Sequence, residues 1–311
     1  MAPLQRHPWG FNYLRLRFLA FLLRALVYPG TRAKIRRQTM VEGVTCKRIT
    51  VPSRDAGRSI VVDVYSPDHY DSTKPMPVMV NMHGSGFLFP MLGTDRRYCS
   101  TIAARTHSLV FDMDYRKAPE HPYPAAPQDL EDVVAHLLAH PRLYDAANIF
   151  LSGFSSGGTA VLPASAALGP VRIKGIVAIY ARADGVRDYP RPQAQMGEGV
   201  PRTPWLSAFA RECYFLPGVD RADARVSAQH APAERFPAHV YLACGDADWI
   251  HGNMEAFVRK LQDAGHGDAT FESIGREGHA FDKGRPGTAS WAKAEKMYEA
   301  VAAMVNRAIR S

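Results

Sequence analysis

"NIFLSGFSSGGTA", residues 148–160, sets two adjacent serines between glycines. Ahead of them Ile149, Phe150 and Leu151 form a short apolar run that reads as a buried strand. Behind them Gly157, Gly158 and Ala160 are small enough for a helix to start close against that strand. Strand, sharp turn and helix is the setting that presents a serine hydroxyl at a sheet edge as a nucleophile. The frame G-x-S-x-G fits one serine only, Ser155, between Gly153 and Gly157. Three fixed positions arise by chance in about one chain in ten of this size at ordinary glycine usage. Taken alone, the stretch could equally be a plain Gly/Ser turn, so its partners must be sought elsewhere.

The surrounding chain is of ordinary globular composition, 46% hydrophobic and 22% charged over 311 residues. That length accommodates two domains or one α/β core with insertions. The cysteines, Cys46, Cys99, Cys213 and Cys244, lie far apart with no CxxC or Cys/His ligand spacing, so they read as buried thiols and no metal site is expected. None of the asparagines begins an N-x-S/T sequon, in keeping with a cytoplasmic protein. The formal charge of +8 is unevenly placed. Residues 1–48 hold ten Lys/Arg against Glu42 alone, a net +9, which leaves 28 against 29, or −1, for the rest. No nucleic-acid-binding module accompanies that charge, and a nucleic-acid partner is not expected.

Along the chain, "VTCKRITV" (44–51) and "SIVVDVYSP" (59–67) flank a turn and predict an antiparallel pair. Strands are predicted at 77–84, 107–115, 148–153, 173–181, 238–245 and in "ATFESI". Leu130, Val133, Val134, Leu137 and Leu138 mark one amphipathic helix, Met254, Phe257, Val258 and Leu261 another, and residues 288–309 a long final one. Strands alternating with helices imply a mostly parallel sheet covered on both faces. The Pro-, Arg- and Gly-rich stretch 185–236 reads as an insertion with one helix near "PWLSAFARECYF". The expected organisation is a basic, apolar cap segment at 1–50, a core at 51–184 and 237–311, and a cap insertion at 185–236. Pro163 should kink or shorten the helix that follows Ser155.

A serine hydroxyl needs a base to take its proton and a third group to hold that base in the right tautomer. "GDADWIHGN" follows the 238–245 strand and offers Asp246 and Asp248; "GREGHAFDKG" follows the 269–274 strand and offers His279. Nucleophile, acid and base thus occur in the order Ser, Asp, His, each just past a strand's carboxyl end, where open parallel sheets place their sites.

Four blocks resemble those of the hormone-sensitive-lipase-like esterases of the alpha/beta-hydrolase superfamily over roughly residues 60–310. "HGSGF" (83–87) is similar to that family's HGGGF loop, and "DYRKAPEHPYPAA" (114–126) to its D-Y-R-x-A-P-E-x-P-x-P signature. "GFSSGG" is similar to its G-D-S-A-G-G elbow and "GHAF" to its histidine loop. The resemblance implies an alpha/beta-hydrolase fold, a mostly parallel sheet flanked by helices, with a helical cap from the N-terminus and the insertion. It assigns Ser155 as nucleophile, His279 as general base and acid, and Asp248, rather than Asp246, as the orienting carboxylate. The backbone N–H groups of Ser85, Gly86 and Ser156 would form the oxyanion hole, and His83 would brace the loop by a hydrogen bond. Arg116 and Glu120 would be scaffold. Two departures stand out. Ser85 replaces a glycine, so the loop must accept negative φ there or change shape, and Phe154 replaces an aspartate beside the elbow.

The implied activity is cofactor-free hydrolysis of a small-to-medium apolar or aromatic carboxylic ester through an acyl-enzyme. Phe87, Phe154, Trp205, Phe209 and Trp249 are the candidate substrate contacts. The alternatives are an amidase, lactonase or acyl transferase on the same triad, and a non-catalytic binding protein like the plant hormone receptor of this family that lacks the histidine. His279 argues against the last. The oligomeric state is not legible. One stretch remains, "FNYLRLRFLAFLLRALVY" (11–28). On a helix, Tyr13, Arg17, Ala20, Arg24 and Tyr28 share a narrow stripe and nearly all else is apolar, so cover on more than one side is expected. The catalytic body would take one side; substrate, a second subunit or a peripheral membrane surface would take the other. Arginines interrupt the run and no convincing cleavage site follows, so it does not read as a signal peptide.

Overall fold

A computed structural model of the chain describes residues 6–71, 73–189 and 203–311. Residues 1–5 of the expected cap segment and 190–202 of the expected insertion lie outside the described residues. The elements in chain order are α1 (Phe11–Arg37), β1 (Val44–Pro52), β2 (Ser59–Pro67), β3 (Met76–Met82) and α2 (Arg96–Thr106). Next come β4 (Leu109–Met113), α3 (Ala125–Ala139), β5 (Tyr144–Phe154), α4 (Ser156–Leu168), β6 (Gly175–Ile179) and α5 (Pro204–Tyr214). The chain ends with β7 (His239–Gly245), α6 (His251–Asp263), β8 (Ala269–Ile274) and α7 (Ala289–Arg310).

The strands form one sheet in the order β1-β2-β4-β3-β5-β6-β7-β8. β1 pairs with β2, and β2 with β4, antiparallel; every later pairing is parallel. β4 and β6 are buried along their whole length, as central strands of a sheet covered on both faces are; β6 is apolar throughout, and the one carboxylate of β4, Asp112, accepts from Asn81 Nδ2 at 2.9 Å. α2 packs on α7 over one face, and α3, α4 and α6 cover the other. Of the periodic set of α3, Leu130, Val133, Val134 and Leu137 are fully buried and Leu138 is half-buried. The register sets Met82 of β3 beside Gly153 of β5, and Phe154 beside Ile179 of β6. The carboxyl ends of β3, β5 and β6 therefore finish together, and their loops share one edge.

α4 continues through Pro163 to Leu168, so the proline does not end it early. It is buried on nearly every side, so packing outweighs the one backbone bond that proline removes. Two glycines let α4 begin where it does. A Cβ on Gly157 would lie 2.0 Å from the Met82 carbonyl oxygen, and one on Gly153 2.6 Å from Gly157 backbone carbon. Both obstacles are backbone. Gly157→Ala should therefore lose about 3 kcal/mol of stability by forcing β3 and α4 apart. A urea melt checks this, and a variant with the wild-type midpoint would refute the close-approach argument.

Candidate active site

Ser155 sits between β5 and α4 with φ 50° and ψ −118°, a strained conformation that a non-glycine residue seldom holds. Its N–H donates to the Ile179 carbonyl at 2.9 Å, which pins the turn to the neighbouring strand. From this elbow Ser155 Oγ lies 2.8 Å from His279 Nε2. His279 Nδ1 lies 2.7 Å from Asp248 Oδ2. Nδ1–H donating to the carboxylate leaves Nε2 bare to accept the serine proton. Asp248 is fully buried, and its Oδ1 accepts the Ile250 N–H at 3.0 Å. Asp246, the other candidate, points elsewhere: its Oδ1 accepts the Arg276 N–H at 2.7 Å and braces the turn after β8.

Aromatic rings hold the imidazole on two sides. Trp249 stacks on it at 4.6 Å between centroids and 26° between planes, and Tyr180 stands 4.9 Å away. Burial and the Asp248 carboxylate push the Cys244 thiol well above its ordinary value, so it stays neutral beside Asp248. Behind His279, Lys283 pairs with Asp95 and Asp282, both at 2.7 Å. Burial alone would depress that ammonium, but the two carboxylates outweigh it and hold it above its usual range. Tyr180 and Tyr298 donate to the same Asp282. The histidine loop is thus tied into the core by charge-assisted bonds.

The loop after β3 approaches the elbow from the other side. Ser85 is not among the positive-φ residues; the left-handed conformations fall on Gly86 (58°) and Phe87 (61°). The loop accommodates the Cβ of Ser85 by keeping that residue at negative φ. The Ser85 N–H, however, donates to Ser156 Oγ at 2.9 Å. Of the three amides expected as oxyanion donors, that of Ser85 is engaged by this hydroxyl, whereas those of Gly86 and Ser156 have no partner among the described residues. Ser156 also does more than offer its amide, since its hydroxyl anchors the loop. Tyr115 completes that anchor, donating to the His83 carbonyl at 2.8 Å and standing 2.7 Å from Ser85 Oγ.

His83 is fully buried, with Nε2 3.3 Å from Asp114 Oδ1 and its ring stacked on Tyr115. Burial would raise the Asp114 carboxyl, but its bonds to His83 and Lys117 prevail and hold it well below the usual range. Arg116 pairs with Asp129 and Asp55, and Glu120 with Arg24 of α1. Arg24 also donates to the carbonyls of Leu88 at 2.9 Å and Ala118 at 2.7 Å. An arginine inside an apolar helix, with two backbone carbonyls and a carboxylate as partners, thus supports the same loop. Sequence reasoning singled out neither Tyr115 nor Arg24 for this support. Tyr115 could have been found from its place in the 114–126 block. The signal for Arg24 was only the cost of a cation within an apolar run.

Ser155, Ser156, Gly86 and His279 face a cleft of about 270 Å³ whose apolar walls include Phe87, Tyr214, Phe215 and Trp249. Phe87 and Tyr214 stack in parallel at 3.7 Å. Thr159 also faces the cleft, donating to the Ser155 carbonyl at 2.9 Å and accepting the Arg182 N–H at 2.9 Å. Phe87 and Trp249, two of the candidate contacts, line this cleft, and three other candidates do not. Phe154 is fully buried against Tyr98, with the Lys283 ammonium 3.9 Å from its ring centroid, because the residue before the elbow points into the core. Trp205 and Phe209 face Leu19, Leu22 and Leu23 of α1, while Ser207, Ala210 and Arg211 take the cleft side of α5. Helical periodicity sends the two sets to opposite faces.

The sequence pattern of a family described as "alpha/beta hydrolase fold" matches residues 79–283. Esterase LipI of Mycobacterium tuberculosis is 36% identical over 98 residues, 31% of this chain and 31% of its own length. Arylacetamide deacetylase-like 3 of Mus musculus is 29% identical over 164 residues, 51% of this chain and 40% of its own. The match to these relatives spans well under half of their length. Among solved structures, the carboxylesterase EstE1 from a metagenomic library superposes with TM-score 0.78 at 22% identity, covering 93% of this chain and 97% of its own. An esterase of Pyrobaculum calidifontis gives 0.77 at 22% identity, covering 98% of this chain and 100% of its own. The eight-stranded, mostly parallel sheet with its sharp Ser155 turn and the match over residues 79–283 agree, and the chain belongs to the hormone-sensitive-lipase-like family of the alpha/beta hydrolase fold.

Proposed function

We propose that the protein is a serine carboxylic ester hydrolase that works through an acyl-enzyme on a small-to-medium apolar or aromatic ester. The observation that carries this reading is the relay from Ser155 Oγ to His279 Nε2 to Asp248, 2.8 Å and 2.7 Å, opening on an aromatic-walled cleft. Ser155 Oγ attacks the ester carbonyl carbon while its proton passes to His279 Nε2. The carbonyl oxygen becomes an oxyanion that accepts from the free amides of Gly86 and Ser156, donors fixed before the charge develops. His279 then protonates the leaving alkoxide, the alcohol departs, and water, activated by the same imidazole, releases the acid and restores Ser155.

Amide hydrolysis, lactone opening and acyl transfer use the same relay, so the test must compare bonds. In a p-nitrophenyl ester series from acetate to laurate, run beside the p-nitroanilide of the best acyl group, kcat/KM is expected to peak at short or medium chains. It should then fall by about tenfold or more at laurate, as the acyl chain outgrows the cleft. Turnover of the anilide at or above the ester rate would replace this reading with an amidase.

A further inference from the structure

α1 is covered on one side only. Leu16, Ala20 and Thr31 are its buried residues, and Arg24 turns inward to Glu120 and two backbone carbonyls. The interrupted stripe thus faces the body, and the apolar face, expected to be covered, faces out. Phe11 is 85% exposed, Phe18 62%, Phe21 65% and Leu26 77%. Trp9, just before the helix, and Leu14 are exposed with them. One contiguous helical face with so many bare large side chains costs solubility without a partner.

We propose that this face of α1 docks on an anionic lipid surface. Its charge selects that occupant. Arg32 and Arg36 follow Leu14 and Phe18 by eighteen residues, five full helical turns, and so continue the same outward face. Arg32, Arg36, Arg37 and Arg6 are exposed, and none has a carboxylate partner among the described residues. A second copy on this face would bring two sets of these unpaired arginines together, whereas anionic headgroups neutralise them. The helix lies along the surface rather than through it: among the described residues no helix is long and apolar enough to cross a membrane. α5 carries Trp205 toward α1 and Ser207 toward the cleft, so docking holds the cleft one helix diameter, about 10 Å, from the docking helix.

The test is co-sedimentation of the full chain with vesicles of phosphatidylglycerol and phosphatidylcholine in equal parts. Binding is expected to weaken with added salt and to be at least about tenfold weaker on pure phosphatidylcholine. Phe18→Glu/Phe21→Glu should abolish it, and Arg32→Gln/Arg36→Gln should weaken it roughly twentyfold on the anionic vesicles. Circular dichroism melts show whether each variant is folded; if the glutamate pair fails to fold, the glutamine pair decides. No vesicle binding by the wild type, equal binding to neutral vesicles, or binding untouched in the folded variants would overturn the proposal. So would a dimer in sedimentation velocity that Phe18→Glu/Phe21→Glu splits, since a second copy would then cover the face. None of these readouts depends on ester hydrolysis.

Discussion

Ser155→Ala is expected to lower kcat for p-nitrophenyl butyrate by about four to six orders of magnitude, with KM nearly unchanged. Alanine removes the attacking oxygen but leaves Gly86, Ser156 and the cleft walls in place, so binding and the oxyanion donors set the residual rate. Ser156→Ala is the control that separates two adjacent serines. Its amide remains, and losing its hydroxyl frees the Ser85 N–H, now bonded to Ser156 Oγ at 2.9 Å. The freed amide can turn toward the oxyanion, while the loop loses an anchor that Tyr115 only partly replaces. These effects oppose one another, and a change within about tenfold is expected. Labelling with an aryl phosphonate and peptide mapping should place the adduct on Ser155. An adduct on Ser156, or a comparable loss in both variants, would reassign the nucleophile.

What the sequence made legible is what repeats or has strict steric demands. β6 was readable because it is apolar throughout, β4 because Leu109, Val110 and Phe111 lead it despite the buried Asp112, and α3 because its core face recurs every three to four residues. The elbow was readable because backbone occupies the space that a Cβ at Gly157 would need. α2 was missed: Ser100, Thr101 and Thr106 are buried in it alongside Tyr98, Cys99 and Ile102, so hydropathy shows no clear stripe. Contacts across the chain were least legible. Nothing local distinguishes Trp205, turned toward α1, from Ser207, turned toward the cleft, because the choice is made by where α1 packs. α1 itself was readable as a helix but not in its sidedness. Hydropathy puts arginines outward, yet three acceptors fixed by other parts of the chain draw Arg24 in. Likewise, Ser85 could be recognised as a departure, but the engagement of its amide depends on a hydroxyl seventy-one residues away.

Asp248→Asn is expected to lower kcat by about 10⁴-fold, whereas Asp246→Asn should stay within a few-fold of wild type. The difference follows from what each carboxylate accepts. Asp248 accepts from His279 Nδ1 on Oδ2 and from the Ile250 N–H on Oδ1. An asparagine there has one acceptor for two donors. Fully buried, it cannot turn to water, and the Ile250 amide, fixed in the backbone, claims the carbonyl oxygen. The side-chain NH₂ must then face His279 and donate to Nδ1, which moves the ring proton to Nε2. That tautomer donates toward Ser155 Oγ and cannot take its proton, so the fold survives and the base is lost. Asp246 makes no such choice: asparagine retains an oxygen for the Arg276 N–H, and the turn after β8 keeps its brace. Steady-state kinetics with thermal melts of both variants read the outcome. If Asp246→Asn loses as much as Asp248→Asn while both melt like wild type, the acid has been misassigned, and the 2.7 Å contact of His279 with Asp248 is not the one that orients the base.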